Sequence, residues 1–424
     1  MLEAKYNKYF QNLGVTVDRL WKERHYDEIV FPEIASRVLE DQPPSEHVSF
    51  WDAVKYGVLT DHLPHQADIE AIFGQPPLTV YWQDDFRIEL LFWVNGLPAI
   101  HQHAFSGAFH VMHGSSLHSE WEFKLEERVG ARLLYGELGL KKAELLRTGD
   151  TRLIVAGNSF IHSTYHLDRP SVSVVIRTNR EDDYLPQYSY LPPSIAYDYF
   201  RPTPTVKRRI QLLRMLRISG RYAELYNIVI HLLEGTDTFS AFLYLLEVYL
   251  LFSDEADRNR ILLAAARRHR RLIEACYPAL IARERRDRIT TLRNKTTNSD
   301  LQFFLALLLN VPDRKAIFNL IGDRYRRGDP IARIVGWMTE LSRLGFADVN
   351  FPDTWLLILR GLLCGATVTQ MEKELIEKYG NEAIVGKTKE IEQLAEAIKG
   401  YWLLCPLFDY GSMGIRVVNA DFEP

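Results

Sequence analysis

Gly96-Leu-Pro-Ala-Ile-His101-Gln-His103-Ala-Phe-Ser-Gly107-Ala-Phe-His-Val-Met-His-Gly114 is the stretch that decides the fold. His101 and His103 stand two apart in an extended run. Side chains two apart on a strand share a face, so both imidazoles can converge on one point. Converging imidazoles suit Fe(II), Mn, Ni, Cu or Zn. Histidine is concentrated around this stretch: His101, His103, His110, His113, His118, His162 and His166 are seven of the thirteen.

Outward from it the sequence reads as short strands. Leu78–Trp82, Arg87–Val94, Ala108–Met112, Ser119–Leu125, Ala131–Leu140, Arg152–Val155 and Ser171–Thr178 are β-like runs. Asn95-Gly96 between apolar runs is a tight-turn signal. Many short strands separated by Gly-containing turns predict a closed all-β unit over 78–180. Residues 1–77 read as helices and loops, with Tyr6, Phe10, Leu13, Val17 and Leu20 at helical spacing. Residues 181–204, rich in Pro and Tyr, read as a surface-packed, protease-sensitive linker. Residues 205–424 read as successive helices, including Lys207–Ser219, Tyr222–Leu233, Ala241–Phe252, Arg258–Cys276, Asp300–Leu309 and Asp313–Arg326. Helix pairs of this length suggest a solenoid-like stack, without a clear repeat.

A second stretch follows the first in order: Gly149-Asp150, then Gly157-Asn-Ser-Phe-Ile-His162-Ser-Thr-Tyr165-His166. Together the two stretches resemble the paired motifs of the cupin family. The first motif is a Gly, a His-x-His, a Glu and a closing Gly. The second is a Gly-Asp turn leading along a strand to a third histidine. The resemblance covers about 100 residues of the chain. It implies a jelly-roll barrel with His101, His103 and His162 as ligands to one metal ion. Counting back from Gly114, the family's glutamate position falls on Gly107, so no carboxylate is there. The second motif is two residues longer than usual, Gly157 stands where proline is common, and His166 takes the usual asparagine's place. The ligand set therefore resembles that of three-histidine cupins such as the thiol dioxygenases. That implies Fe(II) first, with Zn, Mn, Ni or Cu as alternatives.

Other residues are weighed on the same basis. Tyr165 and His166, just past the third histidine, are candidate catalytic residues. His113 and His118 are either donors behind the ligands or ordinary strand residues. His110 falls on the opposite face from Phe109 and Val111. Glu120 and Glu122 alternate with Trp121 and Phe123 and read as a solvated face. Arg177 could bind a substrate carboxylate, though ordinary pairing is the plainer reading. The basic run Arg267–Arg271 is interrupted downstream by Glu274 and Glu284, so it reads as a solvated helix face.

Composition bounds the rest. The 424 residues are 47% hydrophobic and 25% charged, with a formal net charge of −4. That balance favours neither nucleic acid nor membrane. No apolar run reaches the length of a membrane-spanning helix, and the N-terminus does not resemble a secretory signal. Three scattered cysteines exclude a Cys-x-x-Cys zinc site and suggest a reducing, cytoplasmic setting. No glycine-rich phosphate loop or nucleophile elbow occurs.

The expected architecture is α+β and multidomain. A cupin-type β-barrel is flanked by a helical N-terminal segment and a large all-α C-terminal domain. The expected function is that of a metal-dependent enzyme, a mononuclear Fe(II) oxygenase acting with O₂ on a small molecule or peptide. The alternative is a non-enzymatic cupin that binds or senses a ligand. On either reading the helical domain could meet a protein partner or a second copy of the chain.

Overall fold

The computed structural model describes residues 2–66, 74–94, 99–179, 184–199, 203–252, 254–345, 351–380 and 387–408. The expected Asn95-Gly96 turn lies outside them. Two compact units emerge. One comprises residues 1–123 and 140–189, the other residues 124–139 and 190–424.

The first unit opens with helices α1 (Leu2–Lys22), α2 (Phe31–Asp41), α3 (Pro44–His47) and α4 (Phe50–Leu59). Tyr6, Phe10, Leu13 and Val17 do form one buried stripe on α1, continued by Trp21 rather than Leu20. Pro32 enters the first turn of α2, where its missing N–H costs nothing. The Ser49 hydroxyl accepts from the Trp51 N–H and caps α4.

Eleven strands follow among the described residues: β1 (Pro77–Trp82), β2 (Phe86–Trp93), β3 (Ile100–Gln102), β4 (Gly107–His113), β5 (Ser115–Gly130), β6 (Leu133–Arg147), β7 (Thr151–Ile154), β8 (Ile161–His166), β9 (Ser171–Thr178), β10 (Tyr188–Leu191) and β11 (Ile195–Asp198). One sheet has the order β1-β2-β9-β4-β7, and β10-β11-β6-β5-β8-β3 form a closed barrel. In the sheet, Phe86, Ile88 and Leu90 of β2 and Val172, Val174 and Ile176 of β9 are fully buried. They pack with the stripes of α1, α2 and α4 in one core. Each such aliphatic or aromatic side chain contributes about 1.5–3 kcal/mol.

The composition of 181–204 suggested a linker, but the structure places two strands there. Tyr188, Tyr190, Ile195 and Tyr197 are buried, and β11 pairs with β6 through Ile195↔Tyr135 and Tyr197↔Leu133. Alternating Tyr and Ile suits a half-covered pleated surface, whereas the neighbouring prolines dominate the composition.

In the second unit the helices are α5 (Pro204–Ile218), α6 (Tyr222–Gly235), α7 (Thr238–Val248), α8 (Glu255–Lys295), α9 (Ser299–Asn310), α10 (Arg314–Tyr325), α11 (Pro330–Arg343), α12 (Asp353–Cys364), α13 (Val368–Tyr379) and a last helix Thr388–Lys399. Leu133, Tyr135, Ile195 and Tyr197 share a core with α5 to α8. The α8 span is two helical pieces meeting at His269, whose φ −124° and ψ 44° are not helical. It continues through Pro278 where Cys276 was expected to be its end. Ile273, Cys276, Leu280, Ile289 and Leu292 are buried along it, and that burial outweighs the hydrogen bond proline removes. No described helix is long and apolar enough to cross a membrane.

Candidate metal centre

The local fold brings the three histidines together. β3 and β8 are antiparallel neighbours with His101 directly opposite His162. Directly opposed residues share a face, so the pairing register itself joins the two halves of the motif. His103 lies one residue beyond β3, held by a parallel bridge to Ala156 and by the Gly157 N–H donating to its carbonyl at 2.8 Å. The three ring-nitrogen positions fall within 4.8 Å of one another. His103 Nε2 and His162 Nε2 are 2.8 Å apart. All three residues are buried.

The outer nitrogen of His101 defines the tautomer of that ring. A carbonyl only accepts, so His101 Nδ1 donates to the Ala99 oxygen at 3.0 Å and its Nε2 keeps a lone pair. His162 Nδ1 faces His118 Nε2 at 3.2 Å. His103 Nδ1 is buried with no hydrogen-bond partner among the described residues.

Burial disfavours the charged imidazolium. It pulls His101 down to about 4, against the opposing pull of the Ala99 carbonyl. Burial also holds His103 well below its ordinary value, helped by His101 and by the Arg177 charge. His162 is lowered in the same way by burial, then by its histidine neighbours. Neutral imidazole is the form that ligates metal, so the group stands ready without shedding protons near neutral pH.

Aromatic rings wall the group. Phe105 lies 4.4 Å from His103, and Phe160 lies 4.6 Å from His162, centroid to centroid. Phe109 is 6.1 Å from His162. Such a shell lowers the local dielectric and strengthens whatever charge interaction forms inside.

The structure places the remaining candidates elsewhere. Tyr165 is on β8 opposite Leu117 of β5, on the face away from His162. His166 shares the face of His162 but lies four residues along the strand, about 13 Å away. Its Nδ1 meets the hydroxyls of Ser116 at 3.0 Å and Ser171 at 3.3 Å, and its ring stacks on Trp93. Neither residue is brought to the three histidines. His113 stacks on Phe50, and His110 bridges Ser45 and Thr151. Arg177 lies over Phe105 at 3.6 Å and pairs with the buried Glu89 at 3.7 Å, which also takes Arg87 at 2.7 Å.

Gly107 is a glycine for steric reasons. It sits between β9 and β7, opposite Arg177 and Ile154. A Cβ there would lie 2.0 Å from the Ile176 carbonyl oxygen. A carboxylate side chain has no room at that position.

Two carboxylates near the site were missed by sequence reading. Glu120, read as solvated, is opposite His162 in the β5–β8 register. Glu144 accepts from His118 Nδ1 at 3.0 Å. The available signal was the hairpin: His118 and Glu144 sit at nearly equal distances from the Ala131-Arg132 turn between β5 and β6. His118, Glu120 and Glu144 form a second group with donor atoms within 4.8 Å.

The buried histidine His166 gives a first expected result. In the unfolded chain it titrates near 6.5, whereas burial lowers it to about 3 in the fold. Between those values the unfolded chain binds a proton that the folded chain refuses, so stability falls as pH drops. His166 alone should cost on the order of 3 kcal/mol by pH 4. Urea midpoints at pH 7, 5.5 and 4 should fall steeply in the wild type and less in His166→Gln. Equal slopes in the two proteins would show that this residue does not drive the acid sensitivity.

No family model matches the chain, and no curated protein matches it. Among solved structures, the DMSP lyase DddQ from Ruegeria pomeroyi DSS-3 aligns with it at 16% sequence identity. The alignment covers 41% of this chain and 92% of that one, with a TM-score of 0.21. At so low a score, strand order and site geometry carry the fold reading.

Proposed function

We propose that the chain is a metal-binding cupin whose His101, His103 and His162 hold one divalent transition metal, and that it is an enzyme acting on a small molecule. The observation that carries this reading is the meeting of His103 Nε2 and His162 Nε2 at 2.8 Å, beside a His101 whose Nε2 lone pair is free of its proton. Two ring nitrogens so close in an apolar enclosure share at most one proton between them. A cation held among them would take the place of that proton, and His103 would then carry its ring proton on Nδ1.

The donor chemistry supports an open centre. Three neutral rings leave the charge of a divalent ion uncompensated, and Gly107 supplies no fourth ligand. Bound there, the metal would provide Lewis-acid or one-electron chemistry. Phe105, Phe109 and Phe160 line the histidines with apolar rings, and Arg177 adds a positive charge behind Phe105. These features suit a substrate with an anionic donor and, with Fe(II), an oxygenase that uses O₂.

Loading the metal-free protein with Fe(II) under argon and adding nitric oxide tests the finer reading. The expected result is the electron paramagnetic signature of a high-spin iron–nitric oxide species. A folded, iron-loaded protein without that signature overturns the oxygenase reading and favours a ligand-binding cupin.

A further inference from the structure

We infer that Glu144 and His118 form a relay that locks the His162 imidazole with its proton on Nδ1 and its Nε2 lone pair toward His101 and His103. The chemical purpose of the relay rests on the metal-centre reading; its geometry does not. The chain of contacts is continuous. Glu144 Oε1 meets His118 Nδ1 at 3.0 Å, His118 Nε2 meets His162 Nδ1 at 3.2 Å, and His162 Nε2 meets His103 Nε2 at 2.8 Å.

The relay starts from the charge at its far end. Arg152 grips Glu144 with two bonds, Nε to Oε1 at 2.9 Å and Nη2 to Oε2 at 2.7 Å. Lys142 Nζ adds a third contact at 3.0 Å. Partial burial pushes the carboxyl up, but the bonds from Arg152, His118 and Lys142 outweigh it and hold Glu144 well below the usual carboxylate range. An ionised carboxylate only accepts, so His118 Nδ1 carries a proton and donates it. In the proposed relay that is the ring's one proton, so His118 Nε2 offers a lone pair to His162 Nδ1 at 3.2 Å, and His162 Nδ1 is the donor. His162 is left with its Nε2 lone pair among the other two rings. Without the relay, that ring could as readily carry its proton on the nitrogen that has to ligate.

A rival use of the same groups is a second metal at His118, Glu120 and Glu144. It is disfavoured because the groups are already engaged. Both His118 nitrogens have partners, and both Glu144 oxygens are bound by cationic side chains. A metal would have to break several charge-assisted bonds to enter.

His118 and Glu144 are thus positioning residues, and the test reads position directly. Histidine-labelled ¹⁵N spectra of the metal-free protein should show His162 as a single Nδ1–H tautomer. In His118→Phe that tautomer should give way to a mixture. Cobalt(II), titrated against a chelator, should bind about 10- to 100-fold more weakly to His118→Phe and to Glu144→Gln than to wild type. Its visible absorption bands should shift in both variants, which a purely structural role would not produce. If His118→Phe fails to fold, Glu144→Gln decides alone, because Glu144 is only partly buried. A His162 proton found on Nε2 in the wild type overturns the relay. So does unchanged cobalt affinity in the folded variants, or two cobalt ions per wild-type chain. A wild type that binds no cobalt but shows the Nδ1–H tautomer sinks the metal centre and leaves the relay standing.

Discussion

His162→Ala is expected to remove the metal altogether. The wild type, purified without a histidine tag, should carry close to one transition-metal ion per chain by elemental analysis. Deleting one of three ligands should weaken binding by more than the roughly 100-fold that marks residues behind a ligand. The alanine also leaves His118 Nε2 facing a hole where the His162 Nδ1–H stood at 3.2 Å. The variant should therefore lose some stability as well, so circular dichroism must accompany the metal assay. His101→Ala is the companion variant, and it gives up the bond from Nδ1 to the Ala99 carbonyl. Full metal retention in both folded variants would sink the assignment of the three histidines.

Gly107→Glu should fail to fold. The tempting purpose of this substitution is to install the carboxylate that the motif it resembles carries. The structure gives the opposite expectation, since the new Cβ would lie 2.0 Å from the Ile176 oxygen and 3.0 Å from the Arg177 Cα. Both are backbone atoms of β9, and β4 is held on its other side by β7, so neither neighbour can give way cheaply. Overpacking of this kind costs about 3 kcal/mol or more, and Gly107→Ala should already show much of it. Gly130→Ala, with nothing within 4 Å of its added Cβ, is the control and should be close to neutral. Soluble Gly107→Glu with a wild-type melting temperature would show that β9 yields at Ile176 and overturn the steric account.

Much of the fold could be read along the chain, and the reason is local periodicity. The α1 stripe, the β2 and β9 runs and helices α6, α9 and α10 lie within a few residues of where apolar spacing puts them. Where a stronger local signal competed, reading failed. The prolines of 181–204 hid β10 and β11, and the part of α8 past Cys276 was not expected. In each case burial of neighbouring apolar side chains, a non-local effect, decided the outcome.

The same division runs through the site. His101-Gln-His103 places two rings on one face by strand alternation alone, and the resemblance to a known motif added His162. That His162 stands directly opposite His101 is a matter of β3–β8 register, which hydrogen bonding between distant segments sets. Glu120 reads as solvated because alternation tells which residues share a face, never what covers that face. Glu144 has no local mark at all; only the folded hairpin and the grip of Arg152 bring it to His118. The missing carboxylate at Gly107 is visible in the sequence, but its cause is the Ile176 carbonyl on a neighbouring strand. The identity of the donor side chains is written in residue type and spacing, because both follow from covalent geometry. Protonation, proton direction and the space around each donor depend on groups far away in sequence, and only the packed structure sets them.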